Sequence, residues 1–183
     1  MIKRAKKLNY DDPPTDLAGY DPTRDAKGFY WDPAAAKRVV GFFAECLCLT
    51  TSGFPKFHLQ KWQADFVATL YGWKRKSDDT RRYREALFAV PRKNGKSETC
   101  AGLSLYGLTA DGETRAQVYS AAKTRDQAAL IFDVASIMCR QSEALRSMVR
   151  PVESRKRLEF AAKHSYYQAM SADAATAHGK NPH

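Results

Sequence analysis

The sequence predicts an α/β domain built on a parallel sheet, and three observations carry that expectation. One short, unbroken apolar run, Ala86–Val90, and a second run, Gln117–Ala121, read as buried strands of a parallel sheet. Each run is followed by a stretch with helical spacing, over 96–109 and 124–140. A Pro–Gly loop, Pro91-Arg-Lys-Asn-Gly95, separates the first strand from its helix, so the order reads strand, loop, helix, strand, helix. With 183 residues, 44% hydrophobic and 27% charged, the chain is globular and long enough to bury a real core.

Taken in order, residues 9–33 come first and are rich in Asp, Pro and Gly, which predicts an extended arm. Asp32 then fits an N-cap with Pro33 at the first helical position, opening a helix to about Leu49 that Gly53 and Pro55 stop. A second helix is expected from Leu59 to Tyr71, because Trp62, Phe66, Val67 and Leu70 recur at helical spacing. Gly72 ends it, and a basic, polar loop follows over 74–84. After the strand at 86–90 and the helix at 96–109 comes the strand at 117–121. The helix at 124–140 turns Ile131, Val134, Ala135 and Met138 to one face. Two strand-like runs, Arg157–Ala161 and Tyr166–Ser171, close the pattern, with no internal repeat.

The charge balance narrows the partners. The net charge is +10, and two segments hold all of it. Lys3, Arg4, Lys6 and Lys7 give +4 within residues 1–10, and nine bases against Asp78, Asp79 and Glu85 give +6 within 74–97. A clustered excess fits a polyanion, and an ordinary solvated basic loop is the alternative. No apolar run reaches the length of a membrane span, and the basic start has no apolar stretch behind it, so no secretory signal is read there. Cys46, Cys48, Cys100 and Cys139 form no CxxC pair and read as reduced thiols of a cytoplasmic protein.

The chemistry concentrates between the first strand and its helix, at Val90-Pro-Arg-Lys-Asn-Gly-Lys-Ser97. The phosphate-loop pattern G-x-x-x-x-G-K-[ST] is met at Gly95, Lys96 and Ser97 and departs from it at the first position, which is Val90. Gly95 lets backbone approach phosphate oxygens, and the helix start points N–H groups at the anion. Lys96 can neutralise the outer phosphates, and Ser97 can ligate Mg²⁺. Upstream, the amide of Gln63 can pair with the N6 and N7 edge of adenine, although a solvated helix-surface Gln is the commoner case. Trp62 beside it fits the core better than a base platform.

These residues resemble a family. Leu59-Gln-Lys-Trp-Gln63, Val90 to Ser97, Val118-Tyr-Ser-Ala-Ala122, Ser171-Ala-Asp-Ala and His178-Gly-Lys-Asn-Pro182 are similar to the large terminase subunit of tailed bacteriophages. The Pro-Arg-Lys-Asn-Gly-Lys-Ser string is the most specific piece. The resemblance implies a three-layer, P-loop NTPase-type domain with a parallel sheet over 55–183, incomplete at its C-terminus and preceded by an arm and helix at 1–54. It implies a motor that uses ATP and Mg²⁺ to drive double-stranded DNA into a procapsid. Expected partners are a portal protein, a small terminase subunit and further copies in a ring, in the host cytoplasm and away from membrane. By the same matching Gln63 reads adenine, and Arg92, Lys93, Asn94, Gly95, Lys96 and Ser97 line the phosphates. Ser97 contacts Mg²⁺, and Lys96 and Arg92 serve as catalytic residues. For Arg92, which stabilises charge in the loop on this reading, a DNA-phosphate or surface ion-pair role stays open. Lys74, Lys76, Arg81, Arg82 and Arg84 are the candidate DNA contacts.

An ATPase of this type also needs an apolar strand ending in Asp, then a Glu that activates water. Ala128-Ala-Leu-Ile-Phe-Asp133 looks similar but lies on a helical period and continues with Val134. In the family that acidic strand follows the Gly-x-Asn-Pro string, here Gly179–Pro182, so the Asp–Glu pair and a nuclease domain are expected outside these residues. The 183-residue chain alone is then expected to bind ATP weakly and hydrolyse it negligibly. His58, His164, His178 and His183 have no zinc-ligand spacing, and Ser104 and Ser120 lack a base partner in the sequence. Two other readings stay open: a helicase-like nucleic-acid ATPase, and a non-enzymatic basic DNA-binding module with a vestigial phosphate loop.

Overall fold

A computed structural model describes residues 8–172. These divide into two compact units, 8–41 with 58–88 and 42–57 with 89–172. In the first unit the arm ends in a strand, β1 (Phe29–Trp31), that pairs antiparallel with β2 (Trp73–Arg75) in the register Trp31↔Trp73. The two indoles meet edge to face at 5.8 Å. Helix α1 (Pro33–Cys46) opens as expected: Asp32 Oδ1 accepts a bond from the Ala35 N–H at 3.0 Å, with Pro33 at the first position. Helix α2 (Lys61–Gly72) buries Ala64, Val67, Ala68 and Tyr71. Its one buried carboxylate, Asp65, accepts bonds from the Tyr10 hydroxyl at 3.1 Å and from Lys61 at 2.5 Å, so the charge enters the interior paired. The Tyr10 carbonyl in turn accepts the indole N–H of Trp31 at 3.0 Å. The arm is thus tied to both the helix and the ribbon.

In the second unit, α1 ends at Cys46 rather than near Leu49. The chain turns back on itself there: the Leu49 N–H donates to Pro55 O at 2.8 Å and the Phe57 N–H to Leu47 O at 3.0 Å. This hairpin-like segment competes with the last helical turn and wins because Leu47 and Phe57 become buried. Helix α3 (Lys96–Thr109) has the expected bounds. Then follow β3 (Gln117–Ala122), α4 (Arg125–Gln141), α5 (Glu143–Met148), β4 (Arg150–Val152), β5 (Arg157–Phe160) and β6 (Ser165–Ser171).

The sheet order is β3-β6-β5-β4, and only β3 and β6 run parallel. The sheet is therefore mixed, which corrects the expectation of a parallel one. The reason lies in the connections. Short turns at Glu153–Arg155 and Ala161–Lys163, closed by Lys156 (φ 49°) and His164 (φ 52°), join β4 to β5 and β5 to β6. Such links permit only antiparallel neighbours, whereas the long crossover through α4 and α5 returns β6 parallel to β3. Helix α4 covers one face, with Phe132 stacked on Tyr167 at 6.5 Å and Ala128, Ala135 and Met138 buried. Helix α3 packs against α4, β3 and β6.

A second correction concerns Ala86–Val90. The run forms no strand, and Leu87 is 89% exposed. An apolar run becomes a buried strand only when a neighbouring ladder pairs its N–H and C=O groups. Among the described residues none is paired with it.

Candidate functional site

The loop at 91–95 is an exposed turn whose geometry follows from its residues. Lys93 (φ 67°) and Gly95 (φ 69°) both occupy the left-handed region. Glycine enters that region without cost, whereas Lys93 pays about 1–2 kcal/mol for it. The Asn94 side-chain amide closes the turn by donating to the carbonyls of Pro91 and Arg92, each at 3.3 Å. Gly95 is also the N-cap of α3, and no side chain caps that helix start. The first intrahelical bond runs from the Thr99 N–H to Gly95 O at 2.8 Å. The preceding amides of the first turn therefore have no partner along the helix and point outward, the arrangement that binds an anion. Lys96 and Ser97 are exposed at this end, as is Arg92.

Deeper in α3, burial pushes the Cys100 thiol up, with the Lys96 ammonium one turn away pulling the other way. Glu98, also in the first turn, does not fold back on the helix. Its Oε1 accepts from the Thr50 N–H at 3.0 Å and the Thr50 hydroxyl at 2.8 Å. Sequence reasoning passed over both residues. A Glu at the third helical position reads as an ordinary helix-start acid, and nothing in the sequence near it points to Thr50.

Gln63 stands at the third position of α2 and is 4% exposed, so it is not a solvated surface amide. Its Oε1 accepts the Gln60 N–H at 2.9 Å, which fixes the side chain at the helix start. Trp62, by contrast, is 39% exposed, which corrects its placement in the core; Phe88 stacks on it at 5.8 Å and on Phe66 at 4.6 Å.

The basic candidates divide. Lys76 and Arg84 are exposed, and Lys74 lies on β2. Arg81 sits over the Tyr71 ring at 5.0 Å. Arg82 is a structural tether: its guanidinium donates to Pro22 O at 2.7 Å and Arg24 O at 2.8 Å. It also lies about equally close to the rings of Phe29, Trp73 and Tyr83, at 4.7, 5.1 and 5.0 Å. Bonded to two carbonyls and packed among three rings, it is poorly suited to a phosphate.

Asp133 lies on α4 and pairs with Lys156 at 2.9 Å, in keeping with its helical period. The Ser120 hydroxyl bonds Ala128 O at 3.0 Å and the Tyr167 hydroxyl at 2.7 Å, and Ser104 bonds Cys100 O at 2.9 Å, both structural uses. Lys3, Arg4, Lys6 and Lys7, and the strings at 173–174 and 178–182, lie outside the described residues. Among the described residues no helix is long and apolar enough to cross a membrane.

Comparison with known proteins gives a consistent result. The family described as terminase large subunit, ATPase domain, matches residues 61–183. The large terminase subunit of Enterobacteria phage HK97 is 30% identical over 150 residues, covering 80% of this chain and 28% of that protein. The crystal structure of the HK97 bacteriophage large terminase aligns with a TM-score of 0.66 at 30% identity, over 80% of this chain and 29% of that one. The chain thus spans less than a third of the relative it matches.

Proposed function

The chain belongs to the terminase large-subunit ATPase family, and on that footing we propose that it is the ATP-binding part of a motor that drives double-stranded DNA into a procapsid. One observation carries the reading: α3 starts at a left-handed glycine with no side-chain cap and with Lys96 and Ser97 exposed beside its open amides. A Cβ at position 95 would be strained at this φ, and a capping side chain would compete with a phosphate for the same N–H groups.

The residues fit the group. The amides at 95–97 cradle phosphate oxygens, Lys96 offsets their charge, and Lys93 and Asn94 shape and line the turn. Ser97 would offer its hydroxyl to Mg²⁺, an oxygen-seeking cation that would neutralise phosphate charge. Bound ATP and Mg²⁺ supply the transferable phosphoryl group and its charge neutralisation. Arg92, exposed in the loop, is assigned to the charge that spreads over the γ-phosphate in the transition state. Gln63, fixed by the Gln60 N–H, is assigned to the adenine edge.

The ATPase domain is assigned to residues 55–183 and an N-terminal arm and helix to 1–54, with the three-layer arrangement of phosphate-loop ATPases. In the whole protein we expect an acidic Asp–Glu strand and a nuclease domain, a portal and a small subunit as partners, a ring of copies, and action in the host cytoplasm. The 183 residues alone are expected to bind ATP weakly with little turnover. Calorimetric titration with ATP and Mg²⁺ tests the site. Lys96→Ala should weaken binding by at least about tenfold, or about 1.4 kcal/mol. Equal affinity in variant and parent would remove Lys96 from the site.

A further inference from the structure

Glu98 poses a problem for an anion site. It stands in the first turn of α3, three residues from the N-cap, where a glutamate commonly reaches back to the N-cap amide. That amide belongs to Gly95, within the turn that would cradle phosphate. A carboxylate folded back there would bond the same N–H groups and place a like charge beside the incoming oxygens.

The structure holds it elsewhere. Both Thr50 donors, N–H at 3.0 Å and hydroxyl at 2.8 Å, converge on one carboxylate oxygen. Thr50 is itself held by the backbone pairs at 47–57 described above and by the bond from Lys56 Nζ to Glu45 O at 2.7 Å. The contact also ends a longer seam. On the same face of α3, one and two turns further along, Gly102 lies against Phe43 and Leu47, and Tyr106 meets Phe42 edge to face at 5.4 Å. Positions 98, 102 and 106 follow the spacing of a single helix face. The seam sets where α3 sits along its axis, and Thr50 decides which way the anionic group at its head points.

We propose that Thr50 clamps Glu98: it draws the Glu98 carboxylate away from the amides at 95–97 and so keeps them open to the triphosphate. Thr50 is thus the positioning residue and Glu98 the rival it restrains, and the inference rests on the phosphate-binding reading of α3.

The test uses the 183-residue chain and calorimetric titration with ATP and Mg²⁺, on the parent, Thr50→Val, Glu98→Gln and the double variant. Thr50→Val removes the hydroxyl donor with little change of shape and leaves the carboxylate less restrained. We expect it to weaken ATP binding by about three- to tenfold, the scale of one or two hydrogen bonds. Glu98→Gln should bind as well as the parent, because a neutral amide does not rival phosphate for the helix start. The double variant should regain parental affinity. That rescue separates the clamp from a merely structural contact, for which Glu98→Gln would weaken binding or leave the Thr50→Val defect in place. Thermal melting on all four forms detects loss of fold; a melting loss in Thr50→Val that tracks its affinity loss and persists in the double variant overturns the proposal. Parental binding with no change in Thr50→Val overturns the clamp alone. No binding by the parent, with its fold intact, overturns the phosphate-site reading and the clamp with it.

Discussion

Adding one methyl group to the middle of α3 should destabilise the unit that carries the phosphate loop. A Cβ built at Gly102 would lie 2.3 Å from Phe43 Cε1, 2.7 Å from Phe43 Cζ and 3.0 Å from Leu47 Cδ1. None of these atoms can step aside easily. Phe43 and Leu47 are both 0% exposed, and the Phe43 ring is held edge-on by Phe57 at 5.2 Å and Phe42 at 6.4 Å. Overpacking of this kind costs about 1–3 kcal/mol, and two contacts far inside van der Waals distance put Gly102→Ala at the upper end. Alanine returns about 1 kcal/mol through its better helix propensity. The net loss is about 2 kcal/mol, which for a chain of this size lowers Tm by about 4–8 °C. Differential scanning calorimetry on parent and variant measures it. An unchanged or raised Tm would show that α3 can slide along the seam, and the fixed placement argued for its first turn would go with it.

In the intact protein, Arg92→Ala should cut ATP turnover at least about a thousandfold while leaving ATP affinity nearly unchanged, and near-normal turnover in a steady-state assay would reassign Arg92 to surface or DNA charge. Replacing Lys74, Lys76, Arg81 and Arg84 with Ser should flatten the dependence of DNA affinity on salt, each lost phosphate contact removing about 0.9 from the log–log slope. Arg82→Ser should instead lower Tm, because it removes the tether to Pro22, Arg24 and three rings; a variant that melts like the parent but binds DNA less steeply would place Arg82 among the contacts. Burial pushes the Tyr167 hydroxyl up to about 12 from its ordinary 10. The folded state then holds this proton more tightly, so the stabilisation is complete below pH 10 and is lost as pH rises to 12, roughly 3 kcal/mol in all. Denaturant melts across that window should show a shallower alkaline loss in Tyr167→Phe, and identical slopes would refute the linkage.

Where a signal is local, the sequence carried it. Asp32-Pro33 specifies a helix start through one side-chain oxygen and one fixed φ, and both operate within three residues. The bounds of α3 are legible for the same reason, since Gly95 and the helical period mark its start and length. Signals that depend on a partner far along the chain were not legible. Three-residue strands such as Phe29–Trp31 show no period, and β1 exists because Trp73 arrives beside Trp31 from 42 residues away. Arg82 looks like any base in a basic run, and only the fold brings two carbonyls and three rings around it. Ala86–Val90 fails in the opposite direction: its composition is that of a strand, but strand formation is a property of a pair.

The same division runs through the candidate site. The residues that would touch phosphate follow one another within a single turn, so a pattern of residue types identifies them. The residues that would keep that turn open do not. Glu98 is bonded by a threonine 48 positions earlier, and Gly102 has a reason to be glycine only because Phe43 and Leu47 press on it. Read locally, Glu98 is a favourable acid at a helix start and Gly102 a costly helix breaker. Read in the fold, both assignments change sign. On the proposed reading the acid would rival the ligand unless restrained, and the glycine is the close approach that lets α3 seat against the 43–57 segment. On that same reading, anion affinity at the head of α3 would be governed from the side of the helix that never meets the ligand.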